Sequence, residues 1–230
     1  MKKYTTLLFD ADGTLLDFKA AESQALDNTF QKYHIPFNDI MKNDYIRMNL
    51  QLWKDFENGL LDKETLVYTR FVKLFKKYHI DADGVRFEDD YQTELGKQHF
   101  VLDGAFDLLE ELYKDYRLYI VTNGVSQTQY DRLKDSGLDY YFKDIFVSDD
   151  AGYQKPQKEY FDYCFSKIPD FQLSETLIIG DSLSSDIQGG KNAGIDTCWF
   201  NQDNEEPNHI HPTYTIHQLK ELISILKTSL

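Results

Sequence analysis

Cysteine is scarce. Two residues in 230, Cys164 and Cys198, are too few and wrongly spaced for a disulfide scaffold or a zinc site. That usage suits a reducing cytoplasm, which is the expected location. Long apolar runs are also missing: no stretch approaches the ~20 residues a membrane span needs. The start, Met1-Lys2-Lys3, carries the charge of a secretory signal. The apolar run behind it, Leu7-Leu8-Phe9, is short and meets Asp10 and Asp12, so no signal peptide is expected. Positive charge is in deficit, with 25 Lys and Arg against 39 Asp and Glu and a net charge of -14. Such a surface repels nucleic-acid polymers and anionic membranes. A small anionic substrate stays compatible with it, because a bound metal and one lysine reverse the field locally. Internal repeats, low-complexity tracts and flexible linkers are absent as well.

Aromatic residues are plentiful, with 16 Phe and 16 Tyr. They supply a sizeable core and argue against disorder. Residues 4–9 read as a short buried strand ending at Asp10. From 18 to 95 residues on one face recur three to four apart, as in Ala25-Thr29-Tyr33, Leu52-Phe56 and Phe71-Leu74-Tyr78, which predicts helices and no strand. Turn signals divide this region at His34-Ile35-Pro36, Asn58-Gly59 and Asp81-Ala82-Asp83-Gly84. After about residue 101 helices and strands alternate. Helices are expected at 104–116, 126–136, 158–168, 184–193 and 218–227, and strands at 118–121, 144–147, 176–179 and 197–200. That alternation predicts an α/β fold, a Rossmann-like, doubly wound parallel sheet with an inserted all-helical cap domain. The expected core is 1–16 with 97–230, and the cap is 17–96. The cap should act as a lid above the strand ends, hinged near 15–18 and 99–103.

Ligands of open α/β sheets bind outside the carboxyl ends of the strands. Four polar clusters follow four strands: Asp10-Ala11-Asp12-Gly13-Thr14, Thr122-Asn123-Gly124, Lys155-Pro156, and Gly180-Asp181 through Asp186. A carboxylate at Asp10 can attack phosphorus, and a second at Asp12 can protonate a leaving oxygen and later activate water. The bland alternative is an acidic turn that caps a helix. The full five-residue string has a chance expectation of roughly 10^-4 in a chain of this length. Asp181 and Asp186 suit Mg²⁺, a hard cation with few protein ligands; the alternative is capping of the helix that follows. Asp181, at the strand tip, is the better direct ligand, and Asp186 is placed in the first helical turn. Thr122, Asn123 and nearby amides can hold phosphate oxygens, or simply make a strand-to-helix turn. Lys155 can neutralise a transferring group, or be one surface lysine among many. No arginine stands in these clusters. An empty site with Asp10, Asp12 and Asp181 ionised is therefore expected to repel itself. His209 and His211 are read as loop residues, Trp199 and Phe200 as packing at the last core strand, and Cys164 as a small core residue.

In this order the four clusters resemble the four motifs of the haloacid dehalogenase-like hydrolases, and all four are intact. The resemblance covers essentially the whole chain. It implies that Asp10 is nucleophile and metal ligand, and that Asp12 is general acid/base with its main-chain carbonyl on the metal. It implies that Thr122 binds phosphate, that Lys155 stabilises charge, and that Asp181, supported by Asp186, completes a magnesium site. A finer similarity concerns Ile46-Arg47-Met48-Asn49-Leu50-Gln51-Leu52-Trp53-Lys54-Asp55-Phe56-Glu57-Asn58-Gly59 and Gly194-Ile195-Asp196-Thr197-Cys198-Trp199-Phe200-Asn201. Both stretches resemble the pyrimidine 5'-nucleotidase branch.

The expected activity is Mg²⁺-dependent hydrolysis of a small phosphate monoester through an aspartyl-phosphate. A nucleoside 5'-monophosphate is the expected substrate. Asn49, Trp53 and Phe56 share a helix face and can meet a planar base, or can form the helical region's own core. Rival readings are a phosphatase or phosphomutase for sugar phosphates or phosphoglycolate, and a metal-independent haloacid dehalogenase. Asp12 and the Asp181 cluster argue against the dehalogenase. A non-enzymatic binder would have lost a nucleophile or ligand, and none is lost. A monomer or weak homodimer is expected, with no polymer or membrane partner.

Overall fold

The computed structural model describes residues 3–207 and 209–228. The charged start at Met1-Lys2 and Asn208 of the polar loop lie outside the described residues. The chain forms two compact units. One holds the residues up to Phe18 and from His99 onward; the other is Lys19–Gln98. No helix among the described residues is long and apolar enough to cross a membrane.

The chain opens with β1 (Thr6–Phe9), all four residues buried. Four helices follow: α1 (Phe18–Lys32), α2 (Asp39–Glu57), α3 (Lys63–Tyr78) and α4 (Gly84–Gly96). Each of the last three starts on a side-chain cap, because the first amides of a helix lack internal partners. Asn38 accepts from Met41 N, Asp62 from Thr65 N, and Asp83 from Val85 N and Arg86 N. Phe30, Phe71, Phe75 and Phe87 pack within 4.6–6.4 Å of one another, centroid to centroid, and form the middle of this unit.

Beside them lies a buried ion pair. Arg70 donates to both carboxylate oxygens of Glu88, at 2.7 and 2.6 Å, and its third nitrogen donates to Asn49 Oδ1 at 3.1 Å. A charge this deep is tolerated only while its partner is present. Arg70→Met leaves Glu88 buried without its cation and is expected to cost about 3–5 kcal/mol. Adding Glu88→Leu should recover most of that loss. Urea unfolding of the single and double variants measures both effects.

The other unit continues with α5 (Ala105–Leu112), β2 (Arg117–Thr122), α6 (Ser126–Ser136), β3 (Asp144–Val147), α7 (Ser148–Ala151), α8 (Lys158–Lys167) and β4 (Thr176–Gly180). A wide π-type turn at Leu183–Ile187 leads into α9 (Gln188–Ala193), β5 (Asp196–Phe200), β6 (Tyr214–Ile216) and α10 (Glu221–Thr228). The six strands are all parallel, in the order β3-β2-β1-β4-β5-β6. Side chains alternate across a strand, so the sheet feeds two cores. Leu7, Phe9, Leu118, Ile120 and Ile179 face one layer with Leu108, Leu109 and Leu222. Leu8, Tyr119, Val121 and Ile178 face the other with Tyr160, Phe161 and Cys164. Each large apolar side chain removed from water contributes about 1.5–3 kcal/mol.

The doubly wound parallel sheet is as expected. A sixth strand, β6, was not anticipated: three residues are too short to show a period, and it follows a polar loop. The helix expected at 184–193 begins instead as the π-type turn. Cys164 and Cys198 are both fully buried, and desolvation pushes each thiol up to about 12, so both are inert packing residues.

Candidate active site

The chain starts at the sheet centre, builds β2 and β3 on one side, then crosses to β4, β5 and β6 on the other. Such a switch of direction leaves a crevice at the carboxyl ends of the central strands. Phe9, the last residue of β1, pairs with Ile120 and Ile179, and β2 and β4 run on past it to Thr122 and Gly180. Asp10, one residue past β1, donates its N–H to Ile179 O at 2.9 Å and stands at the crevice floor, 6% exposed.

Lys155 joins the clusters. Its Nζ donates to Asp10 Oδ1 at 2.6 Å, to Asp186 Oδ1 at 2.7 Å and to Val121 O at 2.7 Å, which uses all three ammonium protons. Its main chain is clamped by Asn123, whose Oδ1 accepts from Lys155 N and whose Nδ2 donates to Lys155 O, both at 2.9 Å. Asn123 thus spends its amide on placing the lysine. Asp186, fully buried, also accepts from Ser182 N at 3.0 Å. A Cβ at Gly180 would overlap the Asp186 carboxyl, so the turn needs glycine there. Thr14 donates toward Asp10 Oδ2 and Asp181 Oδ1, each at 3.4 Å.

Oxygens of Asp10, Asp181 and Asp186 lie within 4.8 Å of one another. Three hard oxygen donors around one point fit a cation such as Mg²⁺. Gly13, at φ +83°, contributes by omission: a Cβ there would overlap Asp181 Oδ2. The three carboxylates share one lysine, so the group is short of positive charge. Burial drives the Asp10 carboxyl well above the usual range; Lys155 opposes this, while Asp186 and Asp181 add to it. Burial works against the Lys155 charge, but Asp10 and Asp186 outweigh it and hold the ammonium above its ordinary value. Asp181 is exposed by its accessible area, yet protein atoms crowd it densely. Its carboxyl is raised to about 7, by that desolvation first and then by Asp186.

Asp12 differs. Its carboxylate is outside the three-acid group and is held by α6: Arg132 Nη1 donates to Oδ1 at 2.5 Å and Gln129 Nε2 donates to Oδ2. This corrects the expectation of a site without an arginine, since Arg132 is fully buried beside Asp12. Thr122 is buried at the end of β2, where its Oγ1 accepts from Gly124 N and Gln129 Nε2, both at 3.2 Å.

The crevice thus brings together Asp10, Asp12, Thr122, Asn123, Lys155, Asp181 and Asp186. Asn49 and Trp53 belong to the helical unit. Asn49 is buried, with Oδ1 on Arg70 and Nδ2 donating to Glu22 at 2.9 Å. Trp53 is half-buried, edge-on to Phe56 at 5.7 Å.

Residues 7–200 match the family model of haloacid dehalogenase-like hydrolases. The chain belongs to this family. Among haloacid dehalogenase-like hydrolases it is similar to YfnB of Bacillus subtilis, 54% identical over 228 residues, covering 98% of this chain and 97% of YfnB. The crystal structure of YfnB bound to magnesium superposes with a TM-score of 0.93 over 98% of this chain and 99% of that one, at 53% identity. The chain is also similar to two proteins described as pyrimidine 5'-nucleotidases. PynA of Streptococcus pneumoniae is 42% identical, covering 97% of this chain and 95% of PynA. YjjG of Escherichia coli is 33% identical, covering 97% of this chain and 98% of YjjG.

Thr14, Gln129, Arg132 and Trp199 carried no expected site role. Trp199 packs at the strand end as expected, and its indole N–H also donates to Asp181 O at 2.8 Å. A signal for α6 was present. Its buried face is Thr128, Gln129, Arg132 and Leu133, so a helix of the core presents polar groups inward. An ordinary core helix shows an apolar stripe there.

Proposed function

We propose that this haloacid dehalogenase-like hydrolase is a cytoplasmic, Mg²⁺-dependent 5'-nucleotidase acting through an aspartyl-phosphate on Asp10. The observation that carries the phosphatase reading is the Asp10 carboxylate, buried against Lys155 among donors for a hard cation, with a second carboxyl two residues on. The nucleotide reading is supported by the likeness to PynA and YjjG.

In the first step an Asp10 oxygen attacks phosphorus and the ester P–O bond breaks. The leaving oxygen takes the proton of the Asp12 carboxyl and departs as the 5'-hydroxyl of the nucleoside. In the second step water attacks phosphorus, its proton passes to Asp12, and the acyl-phosphate P–O bond breaks to return Asp10 and release inorganic phosphate. Lys155 holds Asp10 in place, and Thr122 offers its hydroxyl to the phosphate. A divalent cation held by Asp10, Asp181 and Asp186 would neutralise the carboxylate and phosphate charges that otherwise keep the reactants apart.

The test is a panel of pyrimidine and purine nucleoside monophosphates, sugar phosphates, phosphoglycolate and 2-haloacids with Mg²⁺. The highest kcat/KM is expected on a pyrimidine nucleoside monophosphate, with no halide release. A sugar phosphate or phosphoglycolate as best substrate would replace the nucleotide reading. The proposal assigns base recognition to Trp53. Trp53→Ala should lower kcat/KM for a pyrimidine nucleoside monophosphate by about 1–3 kcal/mol relative to p-nitrophenyl phosphate. Asn49→Ala is less clean, because Asn49 ties Arg70 to Glu22 and its loss disturbs the fold of the helical unit.

A further inference from the structure

We infer that Gln129 and Arg132, three residues apart on α6, are positioning residues that aim both the proton-donating carboxyl of Asp12 and the phosphate-binding hydroxyl of Thr122. The inference rests on the phosphatase reading above and extends it to two residues outside the four motif clusters.

Gln129 is 2% exposed, and its Nε2 lies within hydrogen-bond reach of two acceptors. One is Asp12 Oδ2 and the other is Thr122 Oγ1. An amide nitrogen carries two protons, so both are committed. Its Oε1 is buried with no partner among the described residues. A buried acceptor left unpaired is costly, and each such case calls for an explanation. Here the amide is oriented by its donors, and the unpaired oxygen is what that orientation leaves behind. Gly124 makes room for it, because a Cβ at that position would overlap Gln129 Nε2.

The consequence for Thr122 follows from counting. A hydroxyl has two acceptor sites and one proton. Gly124 N and Gln129 Nε2 occupy both acceptor sites, so the hydroxyl can act only as a donor. An obligate donor beside a phosphate discriminates for oxygens that accept. Arg132 acts on the other oxygen of Asp12 and is fully buried, with the ring of Phe18 5.7 Å from its guanidinium. The guanidinium is planar and rigid, and a lysine ammonium does not reproduce that directionality. Asp12 is therefore gripped on both oxygens from one helix face, which sets the rotamer from which its proton reaches the leaving group.

The test separates positioning from packing by the leaving group. A nucleoside 5'-monophosphate leaves as an alkoxide and needs the proton; p-nitrophenyl phosphate leaves as a stable phenolate and needs it far less. Arg132→Lys should lower kcat on the nucleotide about 10²-fold or more, and by at least about tenfold more than on the aryl ester. Gln129→Leu should show the same leaving-group bias and, through Thr122, also raise KM on both esters. In an Asp12→Asn background Arg132→Lys should add little. Equal losses on both esters, or full additivity with Asp12→Asn, would overturn the inference while leaving the phosphatase reading intact. Wild-type protein that splits neither ester would remove that reading and the inference with it. If Arg132→Lys fails to fold, as judged by thermal melting, the Gln129→Leu comparison decides alone.

Discussion

Asp10→Asn is expected to abolish turnover while the protein stays folded. An amide cannot form the acyl phosphate, and losing a covalent nucleophile typically costs four or more orders of magnitude, so kcat should fall at least about 10⁴-fold. The fold has reason to tolerate the change. Lys155 keeps its 2.7 Å contacts to Asp186 and to Val121 O, and one carboxylate is removed from a group of three that shares a single lysine. In metal-free protein the melting temperature should therefore be equal to or above that of the wild type. A purified variant that is folded by circular dichroism and retains more than about a hundredth of kcat would rule out the covalent route.

Removal of divalent cation is the second large effect. Exhaustive chelation should bring phosphate-ester hydrolysis to background, and Mg²⁺ should restore it. The pH dependence of stability gives a readout independent of catalysis. The carboxyl of Asp181 is raised to about 7, and that of Asp10 is raised well above the usual range. A raised acid binds its proton more tightly in the folded state than in the unfolded chain. Metal-free protein is thus favoured below the unfolded carboxylate value of about 4 and loses that contribution as pH climbs through about 7. Cation binding requires ionised carboxylates and so displaces the protons. The rise in Tm on adding Mg²⁺ should be small near pH 5 and large near pH 8, as differential scanning fluorimetry would show. Full activity in chelated protein, or a Tm gain that does not change with pH, would rule out the carboxylate site as the metal's home.

The parts of this molecule that were readable from sequence are those governed by short-range rules. β1, β2, β3, β4 and β5 announce themselves as apolar runs, and each of four polar clusters follows a strand, so the parallel sheet and the meeting of those clusters follow from topology alone. The turn signals of the helical region fall between α1 and α2, α2 and α3, and α3 and α4. What escaped detection depends on long-range contacts. Arg132 lies 120 residues from Asp12; the polar inward face of α6 marks the helix as unusual, but nothing local names Asp12 as its partner. Asn49 was open to two readings, a contact to a planar base or part of the helical region's own core, and Arg70 and Glu22 claim both of its ends. β6 is three residues long and exists because β5 offers it an edge.

The stretches that flank the insertion hold one further consequence. Leu16 bridges Val101 in antiparallel fashion, Asp17 N donates to Phe100 O, and Leu102 N donates to Leu15 O, each at 2.9 Å for the two hydrogen bonds. The chain therefore leaves and re-enters the sheet unit at adjacent points on a short ribbon. For β1 and β2, which pair side by side, the long detour counts as a side branch, closed at its own base, and the entropy of closing it is met locally. A branch tied off in this way can be lengthened, shortened or exchanged with little penalty to the sheet. The same sheet unit can thus carry different inserts, because a change in the inserted module leaves the pairing of β1 with β2 untouched.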